Sequence, residues 1–366
     1  MKLPTYQELS REQDNINDLP LDGNWLVTGP PGTGKSVMAL YRTKMLADLD
    51  RPVTLLMWSR LLRMYVERAL ATLDLDDTRT STFDRWINSY WKKNFGSSAP
   101  QSKPYEYVWD EIHRKLGEVG VQRETPDMII DEGQDLPKDF YVLAGLLCDH
   151  LTVFADEDQT INNDRRSSVS EIQSFARIKD TFELRKNYRN SRPIAEVAAY
   201  LFDGRPELEP ELPDPSRTGP KPVLRGVSKF DDSIARIATW AKNNDATTVG
   251  VFTPTVAIAK KVAKELTERG VRNVQLYHRQ GKTAPAIDFD QPGVLVTYFG
   301  NSKGLEFDSV FVVETQKSRL LPGDQMTRNI FYVLASRART NLEFHWSGDG
   351  MPDLMRLFDG APVERK

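Results

Sequence analysis

Short apolar runs alternate with segments of helical periodicity along the first half of the chain. Apolar runs of four to five residues bounded by polar turns are typical of strands buried on both faces. Strands that alternate with helices favour a parallel sheet covered by helices. We therefore predict an α/β domain. Its predicted strands are residues 24–28, 53–57, 128–131 and 151–155, and its predicted helices are residues 37–47 and 61–73.

The same alternation returns after residues 204–222, which contain six prolines and predict a surface connection. Beyond this stretch we predict a second α/β unit of similar size. The domains are therefore predicted at residues 1–183 and 184–366. The second has predicted strands at residues 249–252, 273–277, 294–297, 310–313 and 342–346, and predicted helices at residues 234–242, 256–269 and 327–335.

Between the predicted helix at residues 61–73 and the predicted strand at residues 128–131 the pattern changes. Tryptophans and tyrosines are interleaved with lysines there, around the polar stretch at residues 96–100. We predict a small, mostly helical insertion at about residues 85–126. Trp86 and Trp91 have helical spacing, which fits core packing as well as a place on a binding surface.

Composition narrows the setting of the protein. The chain has 366 residues, a formal net charge of −3 and one cysteine, Cys148. A single cysteine excludes an internal disulfide and a cysteine-based zinc site, and it favours a reducing cytoplasm. The absence of an excess of basic residues means that any nucleic acid must bind through a local groove. We find no signal peptide and no apolar run that could span a membrane.

A phosphate-binding loop follows the first predicted strand. Residues 29–36 read GPPGTGKS and fit the pattern G-x-x-x-x-G-K-[ST] between a strand and a helix. Glycines let backbone N–H groups turn toward phosphates, and the helix N-terminus adds partial positive charge. We expect the Lys35 ammonium to reach the β- and γ-phosphates of ATP, and the Ser36 hydroxyl to hold Mg²⁺. The predicted nucleotide contacts are Gly29, Pro30, Gly32, Thr33, Gly34, Lys35 and Ser36.

An apolar strand that ends in two carboxylates supplies the acidic residues that a phosphate-binding loop needs to hold Mg²⁺ and to activate water. Residues 128–130 are apolar and are followed by Asp131 and Glu132. Asp131 is a candidate Mg²⁺ ligand through water, and Glu132 is a candidate for orienting or deprotonating the attacking water. These residues predict a P-loop NTPase, which could still be a kinase, a transporter subunit or a switch.

Further segments narrow the class because they occur in one order along the chain. They are DEGQD at residues 131–135, ADEDQ at 155–159, NYRNS at 187–191, SKGLEFD at 302–308 and YVLASRAR at 332–339, preceded by Gln13 and by TFD at 82–84. This ordered set resembles the motifs of the UvrD/Rep-like superfamily 1 DNA helicase family. The chain is similar to a compact member that lacks the large second-domain insertion.

The resemblance implies two tandem RecA-like P-loop NTPase domains with ATP between them. It also implies a role for individual residues. The implied catalytic residues are Lys35 and Glu132 together with three others. Gln159 senses the γ-phosphate, and Arg189 and Arg337 stabilise the charge on the transferred phosphoryl group. Gln13 reads the adenine edge, Tyr188 stacks on the adenine, Glu306 contacts the ribose, and Gly304 belongs to the same nucleotide site.

The resemblance also implies a track for a single strand across both domains. Positive charge and aromatic platforms are the features that such a track combines. The implied contacts are Trp58, Ser59, Arg60, Thr82, Phe83, Thr297 and Tyr298. The chain departs from the family in three places. Gly133 replaces an alanine, residues 160–166 lack the aromatic residue and the Arg-Gly pair that usually touch the strand, and Gly300 replaces a histidine that couples the strand to the ATP site.

Two functions remain open at this point. The first is an ATP hydrolase stimulated by nucleic acid, which translocates 3′ to 5′ on single-stranded DNA, with RNA as another substrate and duplex unwinding as a further capacity. The alternative is an ATP-gated regulatory subunit of a larger nuclease or effector complex, with little helicase activity of its own. Stimulation of ATP hydrolysis by single strands separates the two.

Overall fold

The computed structural model describes residues 3–76, 79–120, 123, 125–156, 167–202, 210–278 and 285–366. The chain divides into two compact units. Unit 1 consists of Met1–Gly29, Gly34–Glu157 and Asn162–Leu184, and unit 2 consists of Pro30–Thr33, Asp158–Ile161 and Arg185–Lys366.

Unit 1 contains a parallel sheet of six strands. The sheet order is β3-β2-β6-β7-β1-β8, and every pair in it is parallel. Its central strands are buried along nearly their whole length, which is why they appear in the sequence as continuous apolar runs. The strands of unit 1 are β1 (Asn24–Thr28), β2 (Val53–Met57), β3 (Thr80–Thr82), β4 (Gln101–Lys103), β5 (Glu106–Tyr107), β6 (Asp127–Asp131), β7 (His150–Ala155) and β8 (Thr181–Glu183).

Seven helices accompany this sheet among the described residues of unit 1. Several begin at a serine or threonine whose side chain accepts a backbone N–H from the first turn, which satisfies a donor that the helix leaves open. The helices are α1 (Arg11–Asn17), α2 (Lys35–Asp48), α3 (Arg60–Ala71), α4 (Phe83–Phe95), α5 (Trp109–Val119), α6 (Lys138–Leu147) and α7 (Val169–Phe175).

The predicted insertion consists of α4, α5 and an antiparallel hairpin formed by β4 and β5. The hairpin was not predicted because its strands are short, polar and largely exposed. Trp86 and Trp91 are 7% and 0% exposed and belong to the apolar core, which settles their position in favour of packing.

Unit 2 contains a second parallel sheet, of seven strands in the order β11-β12-β10-β13-β14-β9-β15. The prediction of parallel sheets covered by helices is therefore confirmed for both halves of the chain. The strands are β9 (Val223–Val227), β10 (Thr248–Thr253), β11 (Val274–Leu276), β12 (Gly293–Tyr298), β13 (Phe307–Val312), β14 (Ala338–Ser347) and β15 (Glu364–Arg365), and the helices are α8 (Arg192–Leu201), α9 (Phe230–Asn243), α10 (Val256–Glu268) and α11 (Gln325–Ser336).

Two neighbouring strands at one end of this sheet, β9 and the edge strand β15, were not predicted. β9 carries Arg225 and Gly226 in its middle, and β15 has only two residues, both exposed. Within the described ranges, no helix combines the length and apolar character needed to cross a membrane.

Candidate nucleotide and nucleic-acid site

The phosphate loop leaves the carboxyl end of β1 and leads directly into α2. Gly32 and Gly34 adopt φ angles of 87° and 96°, a backbone region that residues with a Cβ rarely enter. At Gly34 a Cβ would also collide with Nε2 of Gln13. The backbone conformation therefore favours glycine at this position, and a Cβ there would displace the Gln13 side chain.

Lys35 is the first residue of α2 and is only 6% exposed. Its Nζ donates to the backbone oxygen of Gly29 and lies 3.3 Å from Oδ2 of Asp156, a residue that follows β7 and is 3% exposed. A buried ammonium needs such partners, since an unpaired charge is costly away from water. The loop carbonyl and Asp156 thus hold the lysine.

Asp131 lies at the end of β6, on the sheet edge from which the phosphate loop also emerges, and is 2% exposed. Burial, and then the charge of Glu132, raise the pKa of its carboxyl to about 7, against the opposing effects of the Ser36 hydroxyl and Lys35. Its Oδ1 accepts the Glu132 N–H at 3.0 Å. Its Oδ2 is buried and accepts no hydrogen bond from any described residue.

These features fit a Mg²⁺ ion. A buried carboxylate oxygen without a donor beside a serine hydroxyl is a pair of oxygen ligands that this cation prefers. Among the described residues there is no group of three or more His, Cys, Asp or Glu that could hold a metal ion by itself. Magnesium commonly takes one or two protein ligands and completes its shell with water and phosphate oxygens.

Glu132 follows Asp131 in a left-handed backbone conformation, with φ 55° and ψ 45°, and is 5% exposed. Residues other than glycine rarely adopt this conformation, and such strained positions concentrate at functional sites. Nε2 of Gln134 donates to Oε2 of Glu132 at 2.6 Å, and Oε1 of Gln134 accepts the Asp156 N–H at 2.9 Å. Gln134 thereby links the Glu132 carboxylate to the end of β7, where Asp156 pairs with Lys35.

The role of Gln134 was missed at the level of individual residues, although the DEGQD segment contains it. The adjoining Gly133 has a steric explanation. A Cβ there would lie 2.5 Å from Cγ1 of Val153 and 2.8 Å from the hydroxyl oxygen of Tyr141. The alanine that the family usually has would therefore require a shift of these neighbours.

Gln13 lies against the phosphate loop and is 4% exposed. Its Oε1 accepts the Ser10 N–H at 3.0 Å, and its own N–H donates to the Ser10 hydroxyl at 3.3 Å, so the start of α1 fixes its backbone and its side chain. The structure therefore places the glutamine predicted to read adenine beside Gly34.

Within unit 2, the loop tip Pro30–Thr33 contacts the NYRNS segment. The Tyr188 N–H donates to the backbone oxygen of Gly32 at 2.8 Å. A Cβ at Gly32 would come within 2.7 Å of Oδ1 of Asn187. Tyr188, the predicted adenine platform, is half-buried beside the loop tip.

Glu306 is placed between two arginines of unit 2. It accepts from Nε of Arg189 at 3.0 Å and from Nη2 of Arg339 at 2.5 Å. Arg189 also donates to the backbone oxygen of Ser336 at 3.4 Å. Gly304, two residues before Glu306, has φ 70° and makes the turn into β13. Three of the predicted motifs of unit 2 therefore meet at one carboxylate.

Arg337 ends α11 and is 1% exposed. Its guanidinium donates to the backbone oxygens of Val333 and Leu305, at 3.0 and 3.3 Å, and to the Ser336 hydroxyl at 3.0 Å. The side chain thus ties α11 to the chain segment that precedes β13. Gln159, predicted to sense the γ-phosphate, lies outside the described residues.

The predicted strand contacts of unit 1 lie where β2 and β3 end. These strands pair in parallel with Met57 opposite Thr82, so Trp58 and Phe83 become neighbours. Their rings stack with centroids 5.6 Å apart and planes 24° apart. Phe83 is 1% exposed and packs against the inner face of the Trp58 ring. Trp58 is half-buried, so its ring is the more accessible of the two.

The hydroxyl residues beside these rings begin two helices. The Ser59 side chain accepts the Leu62 N–H and caps α3, and the Thr82 side chain accepts the Arg85 N–H and caps α4, each at 3.3 Å. Arg60, in the first turn of α3, is exposed.

The predicted strand contacts of unit 2 lie at the end of β12. Thr297 is fully buried and its hydroxyl donates to the Tyr277 carbonyl at 2.8 Å. The half-buried Tyr298 occupies the space above Gly300, where a Cβ would lie 2.6 Å from Cε2 of its ring. The tyrosine ring therefore fills the place in which the family usually has a histidine.

The phosphate loop, the acidic strand end and the NYRNS segment fall within one family model. The model is described as Schlafen group 3, DNA/RNA helicase domain, and it matches residues 23–209, just over half of the chain. This chain belongs to the Schlafen group 3 DNA/RNA helicase domain family. The prediction of a helicase-like family is thereby confirmed, and the narrower resemblance to UvrD/Rep-like helicases stays a prediction.

A comparison with curated proteins found no match to this Schlafen group 3 domain. Among solved structures, it is similar to the C-terminal domain of a possible DNA helicase from Lactobacillus plantarum WCFS1. The identity is 22%, the match covers 48% of this chain and 97% of that chain, and the TM-score is 0.35. A score this low does not establish a common fold.

Proposed function

We propose that this Schlafen group 3 domain is an ATP hydrolase that translocates on single-stranded DNA, 3′ to 5′. The observation that carries the proposal is the convergence of Lys35, Ser36, Asp131 and Glu132 at one edge of the unit 1 sheet. A buried lysine at a helix N-terminus, a buried carboxylate oxygen without a donor, and a second carboxylate held in position form a phosphoryl-transfer site.

The residues of this site divide the work of hydrolysis. The loop N–H groups and Lys35 would bind the phosphates. To do so, the Lys35 ammonium would leave its present partners, Asp156 and the Gly29 carbonyl, and contact phosphate oxygens instead. Ser36 and Asp131 would hold Mg²⁺, which supplies charge neutralisation on the phosphates. Glu132, aligned by Gln134, would orient the attacking water and accept its proton.

Charge that develops on the transferred phosphoryl group requires further donors. Arg189 and Arg337 are the proposed arginine fingers, and such residues contribute about 10³–10⁵-fold in rate. Gln159 is the proposed γ-phosphate sensor. Gln13 and Tyr188 would contact the adenine, and Glu306 would contact the ribose. To reach the ribose, the Glu306 carboxylate would have to break at least one of its hydrogen bonds to Arg189 and Arg339.

Steady-state ATP hydrolysis, with and without single-stranded DNA, tests the proposal. We expect many-fold stimulation by the strand, and near-complete loss of turnover in Lys35→Ala and in Glu132→Gln. Wild-type turnover in either variant would contradict the site. Strand affinity should fall as salt increases, because each phosphate contact releases counterions.

The alternative, an ATP-gated subunit of a nuclease or effector complex, has a different signature in the same assay. It would show low turnover that neither DNA nor RNA changes and that rises with a partner protein. If RNA stimulated hydrolysis more than DNA did, the translocase proposal would stand with RNA as its substrate.

A further inference from the structure

Three half-buried aromatic rings surround the buried ring of Phe83. Trp58, Tyr107 and Trp109 have ring centroids 5.6, 5.3 and 6.2 Å from that of Phe83. The rings of Tyr107 and Trp109 are themselves 5.7 Å apart. We call Trp58, Tyr107 and Trp109 the aromatic patch. Trp58 follows β2 of the main sheet, whereas Tyr107 and Trp109 belong to the insertion.

Hydrogen bonds hold the insertion half of this patch in place. The Tyr107 hydroxyl donates to Oδ1 of Asp84 at 3.0 Å and accepts from Nδ2 of Asn88 at 2.9 Å. Burial and the Asp84 carboxylate raise the pKa of Tyr107 well above its usual value, so the hydroxyl stays protonated. At the base of the β4–β5 hairpin, the Val108 N–H donates to the Pro100 oxygen at 3.0 Å. A rigid ring loses little conformational freedom when a flat ligand stacks on it.

Two exposed arginines flank the patch. Arg60 lies in the first turn of α3 and Arg85 in the first turn of α4, and neither makes an ion pair with a described residue. Both helix N-termini add partial positive charge at the same place. The first turn of α3 contains no acidic residue, and the acidic residue in the first turn of α4, Asp84, is engaged by Tyr107.

Two carboxylates directly follow Trp109 along the chain. Asp110 and Glu111 are in the first turn of α5, and Glu111 pairs with Lys115 at 3.5 Å. Phosphates are therefore favoured beside Arg60 and Arg85, and an uncharged base face is favoured over Trp109. Aromatic faces bordered by cations on one side match a single strand, whose bases stack while its backbone contacts arginine.

We propose that the insertion extends the strand-binding site: bases of a single strand stack on Trp109 and Tyr107 as well as on Trp58, and Arg60 and Arg85 contact the phosphates. The proposal rests on the proposed function and adds the insertion and Arg85 to it. Because every base has a stacking face, this part of the site would bind strands without sequence preference.

A pair of Trp109 variants tests the proposal by fluorescence anisotropy with a labelled oligothymidylate. Trp109→Leu keeps apolar bulk but removes the stacking face, and we expect about five- to tenfold weaker binding, near the lower end of the cost of losing one stacked base. Trp109→Phe keeps an aromatic face and should bind much more tightly than the leucine variant. Phe175→Leu, which removes a 37% exposed ring on α7, is the matched control and should bind like the wild type.

An independent variant guards against misfolding of Trp109→Leu. Arg85→Gln alters an exposed side chain, and we expect it to reduce the slope of log affinity against log salt by about one phosphate contact. If the wild type binds and is stimulated by the strand, but Trp109→Leu binds equally well or Arg85→Gln leaves the salt slope unchanged, the insertion does not bind the strand. If the wild type itself shows neither binding nor stimulation, the proposed function fails instead.

Discussion

Nε of Arg189 donates to Oε2 of Glu306 at 3.0 Å, across 117 positions of the chain. The same carboxylate accepts from Arg339 at 2.5 Å, and Arg189 and Glu306 are 17% and 10% exposed. One carboxylate thus holds two arginines that would otherwise repel each other. The carboxylate of Glu306, for which the family resemblance implied only a ribose contact, therefore also holds the proposed finger Arg189.

Glu306→Gln should lower the free energy of unfolding, because it removes the charge that both arginines face. We expect a loss of about 1–3 kcal/mol, in the range for charge-assisted hydrogen bonds that are largely buried. Urea denaturation of Glu306→Gln, Arg189→Ala and the double variant would measure the coupling. Effects that simply add, within about 0.5 kcal/mol, would show that the pair contributes nothing as a unit.

Arg337→Ala should lose turnover and also stability. The guanidinium donates to the carbonyls of Val333 and Leu305 in a fully buried position, so alanine removes both hydrogen bonds and leaves Val333 only the Ser336 hydroxyl as a side-chain donor. We expect a destabilisation of about 2–4 kcal/mol, combining lost buried hydrogen bonds with lost packing. Thermal unfolding measures this loss, and binding of a fluorescent ATP analogue below the melting transition measures the nucleotide affinity separately. An unchanged melting temperature would contradict the structural part of the role.

Asp131 should make the metal-free protein less stable as pH rises. Its pKa is raised to about 7, above the unfolded value near 4, so between these values the folded state holds a proton that the unfolded state has lost. The contribution of the protonated carboxyl to stability therefore declines from about pH 4 to about pH 7. Mg²⁺ with nucleotide should restore stability most strongly above pH 7, where the buried charge is present.

Asp131→Asn provides the check on this pH dependence. In buffer with a chelator at pH 8, the variant should melt at a higher temperature than the wild type, and the difference should shrink at pH 5. The variant should also lose most hydrolysis, because it lacks the carboxylate proposed for Mg²⁺. A melting difference that is the same at both pH values would rule out titration of Asp131 as its cause.

Gln134→Leu should reduce kcat for ATP with little change in KM. Leucine retains much of the volume but cannot donate to Glu132 or accept from the Asp156 N–H, so the proposed general base loses its orientation. We expect a loss of about 10–100-fold, within the range of general base catalysis. In a Glu132→Gln background the same substitution should have little further effect on kcat. A full additional loss there would assign Gln134 a role independent of Glu132.

Most strands of the two sheets could be predicted from sequence because burial on both faces imposes continuous apolar runs, as in β1 and β2. The predictions failed where strands are short, exposed or rich in polar residues. β3 and β8 have three residues each, and the β4–β5 hairpin is almost entirely polar. Their pairing depends on neighbours distant in sequence, which no local pattern records.

The sequence by itself determined the phosphate loop. The glycines at 32 and 34 indicate a left-handed backbone, and the Lys35-Ser36 pair indicates a positive charge and a hydroxyl, which together are typical of phosphate binding. It also determined the acidic strand end and the order of the motifs. Tertiary structure alone decided which partners these side chains have: Asp156 for Lys35, Gln134 for Glu132, and Arg189 and Arg339 together for Glu306. It likewise decided that Phe83 and Arg337 are buried. The reason is that a hydrogen bond depends on distance in space. Folding brings Asp156 to Lys35 and Arg189 to Glu306 across more than a hundred positions of the chain, and even the Gln134–Glu132 contact depends on the turn that follows β6.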